Sequence, residues 1–366
     1  MAATVAIRVG VGLARAERDR RATKAQRARD RQFALLGDER LGDGLRRMAL
    51  GQLDLAIELL ADDGALPAEK AVHEIRKALK RLRALIRLLE DELGEQACAR
   101  ESAVLREAGR RVSGARDAEV IVGTLDELIR SHPGKLAHRR GVMRLRARLV
   151  AERDMAAHGA LGDRATRAKV LGDLRAARDR VARWSISDAD GIQAVEPALK
   201  RLYRQGRRRH RRAARGKGGR ARAMHEWRKR VKDLRYAAEM LDRADPDDRA
   251  GGSGGKRGKR RRKRAHRHGE AGYLRRVARR ADQLGERLGY EHDLVLLATR
   301  VRADGAGARK AERVGRGTRR ALLKLIARRR KRLRKQALRQ GRRLYRRRPK
   351  RFLRRVRSAH ARASSA

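Results

Sequence analysis

The chain has 366 residues, enough for two or three domains, and 40% of them are hydrophobic, so it can bury a real core. Lysine and arginine number 100 against 44 acids, a formal charge of +56 that repels itself unless a polyanion or dense counterions lie against it; nucleic acid, polyphosphate and an anionic membrane surface all qualify. One cysteine, Cys98, excludes an intramolecular disulfide and fits a reducing cytoplasm, and no apolar run reaches the roughly 18 residues that span a bilayer.

The apolar residues are mostly Ala, Leu and Val, aromatics are 2%, and no stretch sustains the alternation of a strand, so an all-α protein without a sheet is predicted. Residues 1–34, arginine-rich and lacking the apolar core of a secretory signal, read as a mobile basic extension. A first helix is expected between Leu35 and Leu60, ended by Asp62-Asp63-Gly64. Pro67 suits the start of a second, which stops before Gly94. Further helices follow from Glu95 to Val112, from Arg116-Asp117 to about Ser131, from Lys135 to His158 and from Arg164 to Trp184; short loops favour antiparallel neighbours.

A polar linker, Ser185 to Gln193, separates a first bundle, residues 35–192, from a second, residues 193–357. The second opens at Glu196-Pro197, breaks at Gly216 to Gly219 and enters a helix at His225. Residues 246–271 contain Gly-Gly-Ser-Gly-Gly and the run Lys256 to Arg264, and read as a flexible basic loop. Tyr273 to Leu288 then forms a helix, His292-Asp293 stands at a turn where Arg116-Asp117 stood in the first half, and a last helix runs from Arg316 to Arg348. Residues 358–366 read as a loose tail.

The whole chain is organised around a repeated stretch. His73 to Leu89 and His225 to Leu241, 152 residues apart, agree at eight of 17 positions without a gap, which indicates internal duplication. At about 100° per residue, Val72, Ile75, Leu79, Leu82, Ile86 and Leu89 form an apolar stripe, and His73, Arg76, Lys80, Arg83 and Arg87 a cationic one about 110° away. The second copy repeats the design with His225, Arg228, Lys232 and Arg235. The ladder from His73 to Arg87 is about 21 Å long. A solvated helix face mixes signs at i and i+4; no acid interrupts this one, so it is built to meet a row of anions. The arginine fork takes two phosphate oxygens at once and lysine adds a point charge.

Catalytic and metal chemistry find no support. His73-Glu74 and His225-Glu226 begin like a zinc-protease helix, but Lys77 and Lys229 stand where the second histidine would be. Walker, dinucleotide and nucleophile-elbow signatures are absent, so no enzyme, cofactor or metal site is expected. Asp117 and Asp293, each placed by a turn, suit helix capping or an ion pair with a ladder arginine.

The repeated His-x-x-Arg-Lys-x-x-Lys-x-Leu-Arg pattern at His73 to Arg83 and His225 to Arg235, with Arg116-Asp117 and His292-Asp293, resembles the CHAD family, the conserved histidine α-helical domain, over about Leu35 to Arg357. That resemblance implies two helical bundles related by a pseudo-twofold, with a basic central cavity or groove that binds inorganic polyphosphate. The first function expected is therefore non-catalytic polyphosphate binding, of use in targeting to polyphosphate granules, and the alternative is a nucleic-acid-associated basic protein that binds the DNA or RNA backbone. The family's binding residues carry over to His73, Arg76, Lys77, Lys80, Arg83, His225, Arg228, Lys229, Lys232 and Arg235. No alternating Glu-x-Glu-x-Lys strand of a triphosphate-tunnel domain occurs, so no polyphosphate hydrolysis is implied. The basic loop and the arginine-rich last helix exceed the family pattern and leave room for nucleic acid as a partner.

Overall fold

A computed structural model describes residues 25–37, 39–62, 66–112, 116–160, 163–187, 191–216, 219–244, 272–307 and 314–364. The apolar spacing read above becomes helix almost everywhere. After a short α1 at 25–30 come α2 (Leu41–Ala61), α3 (Ala68–Leu88), α4 (Glu90–Leu93), α5 (Glu95–Arg111) and α6 (Arg116–Ser131). They are followed by α7 (Pro133–Leu136), α8 (Arg140–Ala160), α9 (Arg164–Ala182), α10 (Ile192–Arg215) and α11 (Arg220–Met240). The chain ends with α12 (Tyr273–Gly307), α13 (Arg316–Leu344) and α14 (Pro349–Ser364).

The fold is all-α as expected, apart from one two-residue parallel pairing, β1 (Leu35–Leu36) with β2 (Arg243–Ala244), formed because the chain enters α2 extended, alongside the segment leaving α11. Three expectations need correction. Residues 31–34 are packed, while the short helix before them is exposed along 25–29. Arg47 binds the carbonyls of Gln32 and Ala34, each at 2.8 Å, and Phe33 is buried beneath the Arg81 guanidinium, 4.8 Å from its ring centre. No turn separates Leu288 from His292. α12 is a single helix of 35 residues whose buried positions pass from one face, at Ala281, Leu284 and Leu288, to another, at Leu294 and Val301, so Asp293 lies inside it. The tail is helical to Ser364, anchored by buried Phe352, Val356 and Ala359. The first 24 residues and the basic loop at 246–271 lie outside the described residues.

Two apolar clusters form the interior, and each draws on both halves of the sequence. One gathers α2, α3, α5, α9, α10 and α11 with the first part of α12, the end of α13 and α14. The other gathers α6 and α8 with the second part of α12 and most of α13. The scarce acids are used inside: all five buried carboxylates among the described residues are held by arginine. Glu101 takes Arg180 at 2.6 Å, Asp233 takes Arg87 at 2.7 Å, and Glu291 takes Arg330 at 3.0 Å and Arg334 at 2.8 Å. Glu196 pairs with Arg357, and Asp304 with Arg148. A buried carboxylate is tolerable only when so paired; the Glu291 pairs join the consecutive helices α12 and α13, and the others join elements far apart in the chain.

Five of the nine aromatic side chains, Tyr203, Trp227, Tyr273, Tyr345 and Phe352, gather with His210 at one corner. Tyr203 of α10 stacks on Phe352 of α14 at 4.1 Å and donates its hydroxyl to the Leu344 and Arg347 carbonyls, fixing the turn between α13 and α14. Two glycines make this approach possible: a Cβ on Gly206 would strike the Tyr345 ring, and one on Gly341 would strike Trp227 and His210. Cys98 is buried beside Ile86, and burial, with Glu90, Asp91 and Glu101 nearby, pushes its thiol up to about 11, which leaves it an inert packed group.

Candidate functional site

The apolar stripe of α3 is buried along its length, from Val72 through Ile75, Leu79, Leu82 and Ile86 to Leu89, which turns the neighbouring cationic stripe outward. His73 and Lys80 are exposed, while Arg76, Lys77, Arg83 and Arg87 are half-buried. Lys77 binds Glu74 at 2.9 Å one turn earlier, and Lys229 repeats the contact with Glu226 at 2.5 Å. These two lysines therefore lean along their own helices, away from the Arg rows.

The second ladder lies against α12. The His225 and His292 rings are 4.4 Å apart, and a Cβ on Gly289 would sit 3.3 Å from the Arg228 guanidinium. Further along, Lys232 senses Glu286 and Asp293, and Arg235 pairs with Asp282 as well as with Glu239 at 2.6 Å. As α11 ascends the contacts on α12 descend, so the helices run antiparallel and the ladder meets a partly acidic stripe. Burial, then Arg228 as a neighbouring cation, lowers the Lys232 ammonium to about 8. Burial, then Lys229 and Arg228, likewise holds His225 below its ordinary value. At Arg235, burial opposes the charge but Glu239 and Asp282 outweigh it, and its pKa is raised.

The first ladder has a different setting. Burial, then Arg87 and Arg106, pushes Arg83 down, with only Asp233 opposing. Arg83 is thus flanked by Arg106 of α5 where its counterpart Arg235 is flanked by Asp282. The Nε atoms of Arg83 and Arg228, and Nδ1 of His225, are buried and make no hydrogen bond among the described residues. Arg87 reaches across to Asp233, so the ends of the two ladders meet there and Arg87 is held by that ion pair.

A cavity of about 340 Å³ opens at this junction, lined by Arg87, Arg201 and Arg230 but also by Glu90 and Glu95, so its charge is mixed. A larger cleft of about 1110 Å³, lined by seven cations and Ser358, lies at the turn between α13 and α14. Sequence reasoning missed Arg106 and Asp282, because which helix faces a ladder is a tertiary property; the run Arg346 to Arg355 was visible as charge without a place. The side chains of Arg116 and Asp117 lie outside the described residues. Among the described residues, no group of three or more His, Cys, Asp or Glu is placed to hold a metal, and no helix is long and apolar enough to cross a membrane.

Comparison with known proteins bears on this arrangement. The model of the CHAD domain family matches residues 45–250. A crystal structure of the CHAD domain from the plant Ricinus communis is similar in fold, with a TM-score of 0.53 and 19% identity over 80% of this chain and 88% of that one. No curated protein matches the chain.

Proposed function

The chain belongs to the CHAD family, and on that premise we propose that it is a non-catalytic binder of inorganic polyphosphate that uses the cationic stripes of α3 and α11. The observation that carries this reading is the setting of Arg83, half-buried between Arg87 and Arg106 with its Nε unbonded among the described residues. Cations held this close without enough carboxylate repel one another, and a chain of phosphates relieves that repulsion with charge-assisted hydrogen bonds. The exposed His73 and Lys80 continue the same stripe, and its length of about 21 Å suits a linear polymer better than a single phosphate.

The acids along the ladders support binding rather than turnover: Glu74, Glu226, Asp233, Glu239 and Asp282 are each ion-paired with lysine or arginine. Carboxylates so engaged with neighbouring cations serve structure. The matching helices α3 and α11 are read as products of duplication that bring two basic stripes to one polymer, and placing the protein on polyphosphate granules in the cytoplasm follows from that affinity.

The test is calorimetric titration with long-chain polyphosphate. Arg76→Gln/Lys80→Gln/Arg83→Gln weakens binding at least tenfold, whereas the charge-matched Arg164→Gln/Lys169→Gln/Arg175→Gln on α9 stays within twofold. Equal losses from the two sets would reduce the protein to an undirected polycation.

A further inference from the structure

We propose that the outer face of α13 is a second polyanion site, separate from the ladders, and that its ligand is the phosphate backbone of duplex nucleic acid, bound without regard to sequence. Arg320, Lys324, Arg328, Lys331, Lys335 and Arg339 follow one another at steps of three or four residues and are all exposed. They form one straight row, continued by exposed Arg342, about 33 Å from end to end.

An ordinary solvated helix interleaves acids at i±4, and like charges at that spacing destabilise it. Here the sequence has no Asp or Glu after Glu312. The opposite face of the same helix does receive its counter-charge, since Arg330 and Arg334 share the buried Glu291 of α12. The inner pair thus shares one carboxylate, and none of the outer row has an ion pair among the described residues. The helix is kept in register by buried Leu322, Leu325, Ile326 and Leu333, and its far end is clamped by the aromatic corner around Tyr203 and Phe352. The row is therefore rigid.

Shape selects the ligand. The ladder of α11 faces α12 on one side, and α13 packs on α12 through Glu291, so α12 stands between the two basic surfaces. A straight, convex row touches a flexible polyphosphate on one side only, and the polymer must lose conformational freedom to follow it. A duplex is already straight, and its helical turn of roughly 34 to 36 Å matches the length of the row. Single strands are disfavoured because stacking needs exposed aromatic rings, and the only exposed large hydrophobic residues among those described are Leu66 and Met155.

The experiment compares two substitution sets by fluorescence anisotropy with a 20-base-pair DNA duplex and, separately, with long-chain polyphosphate. Lys324→Gln/Arg328→Gln/Lys331→Gln/Lys335→Gln lowers duplex affinity at least tenfold and makes the log–log salt slope shallower by about 3 to 4 units, at about 0.9 per lost phosphate contact. The same variant binds polyphosphate within twofold of wild type, and Arg164→Gln/Lys169→Gln/Arg175→Gln/Arg183→Gln leaves the duplex slope unchanged. Acetylation footprinting of the wild-type protein provides a second readout independent of any variant: duplex protects Lys324, Lys331 and Lys335, and polyphosphate does not. Equal duplex losses from the two sets, or polyphosphate protection of the α13 lysines without duplex protection, overturns the proposal. Loss of polyphosphate binding by the α3 variants is read in a separate titration, so the two sites fail or stand independently.

Discussion

Arg87 of α3 donates from Nη1 to Oδ1 of Asp233 on α11 at 2.7 Å, joining the two helices whose sequences repeat. Asp233 is buried and is also approached by Arg230 at 3.1 Å. The position that corresponds to Asp233 in the first copy is Arg81, so the junction depends on a place where the repeat is broken.

Asp233→Asn should therefore destabilise the fold by about 1.5 to 3 kcal/mol, the range for a hydrogen bond to a charged group, because two arginines lose their shared carboxylate. Urea unfolding checks this, as a lower midpoint at unchanged m-value. A double-mutant cycle with Arg87→Gln should show that the two residues are coupled; additive effects would refute the link.

Charge reversal should separate the two ladders. Arg83→Glu puts a carboxylate beside Arg87 and Arg106, weakens polyphosphate binding by at least tenfold and leaves melting nearly unchanged. Arg235→Glu places a third acid beside Glu239 and Asp282 and lowers the melting temperature more than Arg83→Glu does. Titration and thermal melting of both proteins decide this; equal effects on both readouts would remove the asymmetry.

Lys232 gives the site a pH signature. Its folded value is about 8 against an ordinary 10.5, so between those limits the unfolded chain holds a proton that the folded chain has released. Its contribution to stability therefore rises with pH through that window, and Lys232→Met flattens the rise. His225, also depressed, acts in the same sense at lower pH: stability is lost as pH falls below its ordinary value of 6.5. A polyanion against the second ladder restores the Lys232 proton, so titrations just above pH 8 in buffers of different ionisation enthalpy should show proton uptake that Lys232→Met abolishes.

Gly341→Ala should cost about 1 to 3 kcal/mol, the usual penalty for overpacking, because the new methyl meets the Trp227 and His210 rings. The melting temperature falls, and polyphosphate affinity of the folded fraction is retained.

The sequence by itself determined the helices, and with them the faces. Periodicity set α3 and α11 with an apolar stripe beside a cationic one, because burial is dictated every three or four residues and arginine cannot follow leucine inside. The repeat at His73 and His225 marked where the cations gather and which family the chain resembles. What lies opposite each ladder was decided only by tertiary structure. No local pattern says that Asp282 will face Arg235 while Arg106 faces Arg83, since both acid and base are compatible with an exposed helical position. The same holds for the continuous α12, where Gly289 sits inside the helix as the Arg228 guanidinium passes. The packed segment at Phe33 likewise depends on Arg47 and Arg81, which are distant in sequence. Charge composition predicts a polyanion partner, but which cations are ion-paired inside the fold and which remain outside follows from the pairing of five buried carboxylates with arginines on other helices.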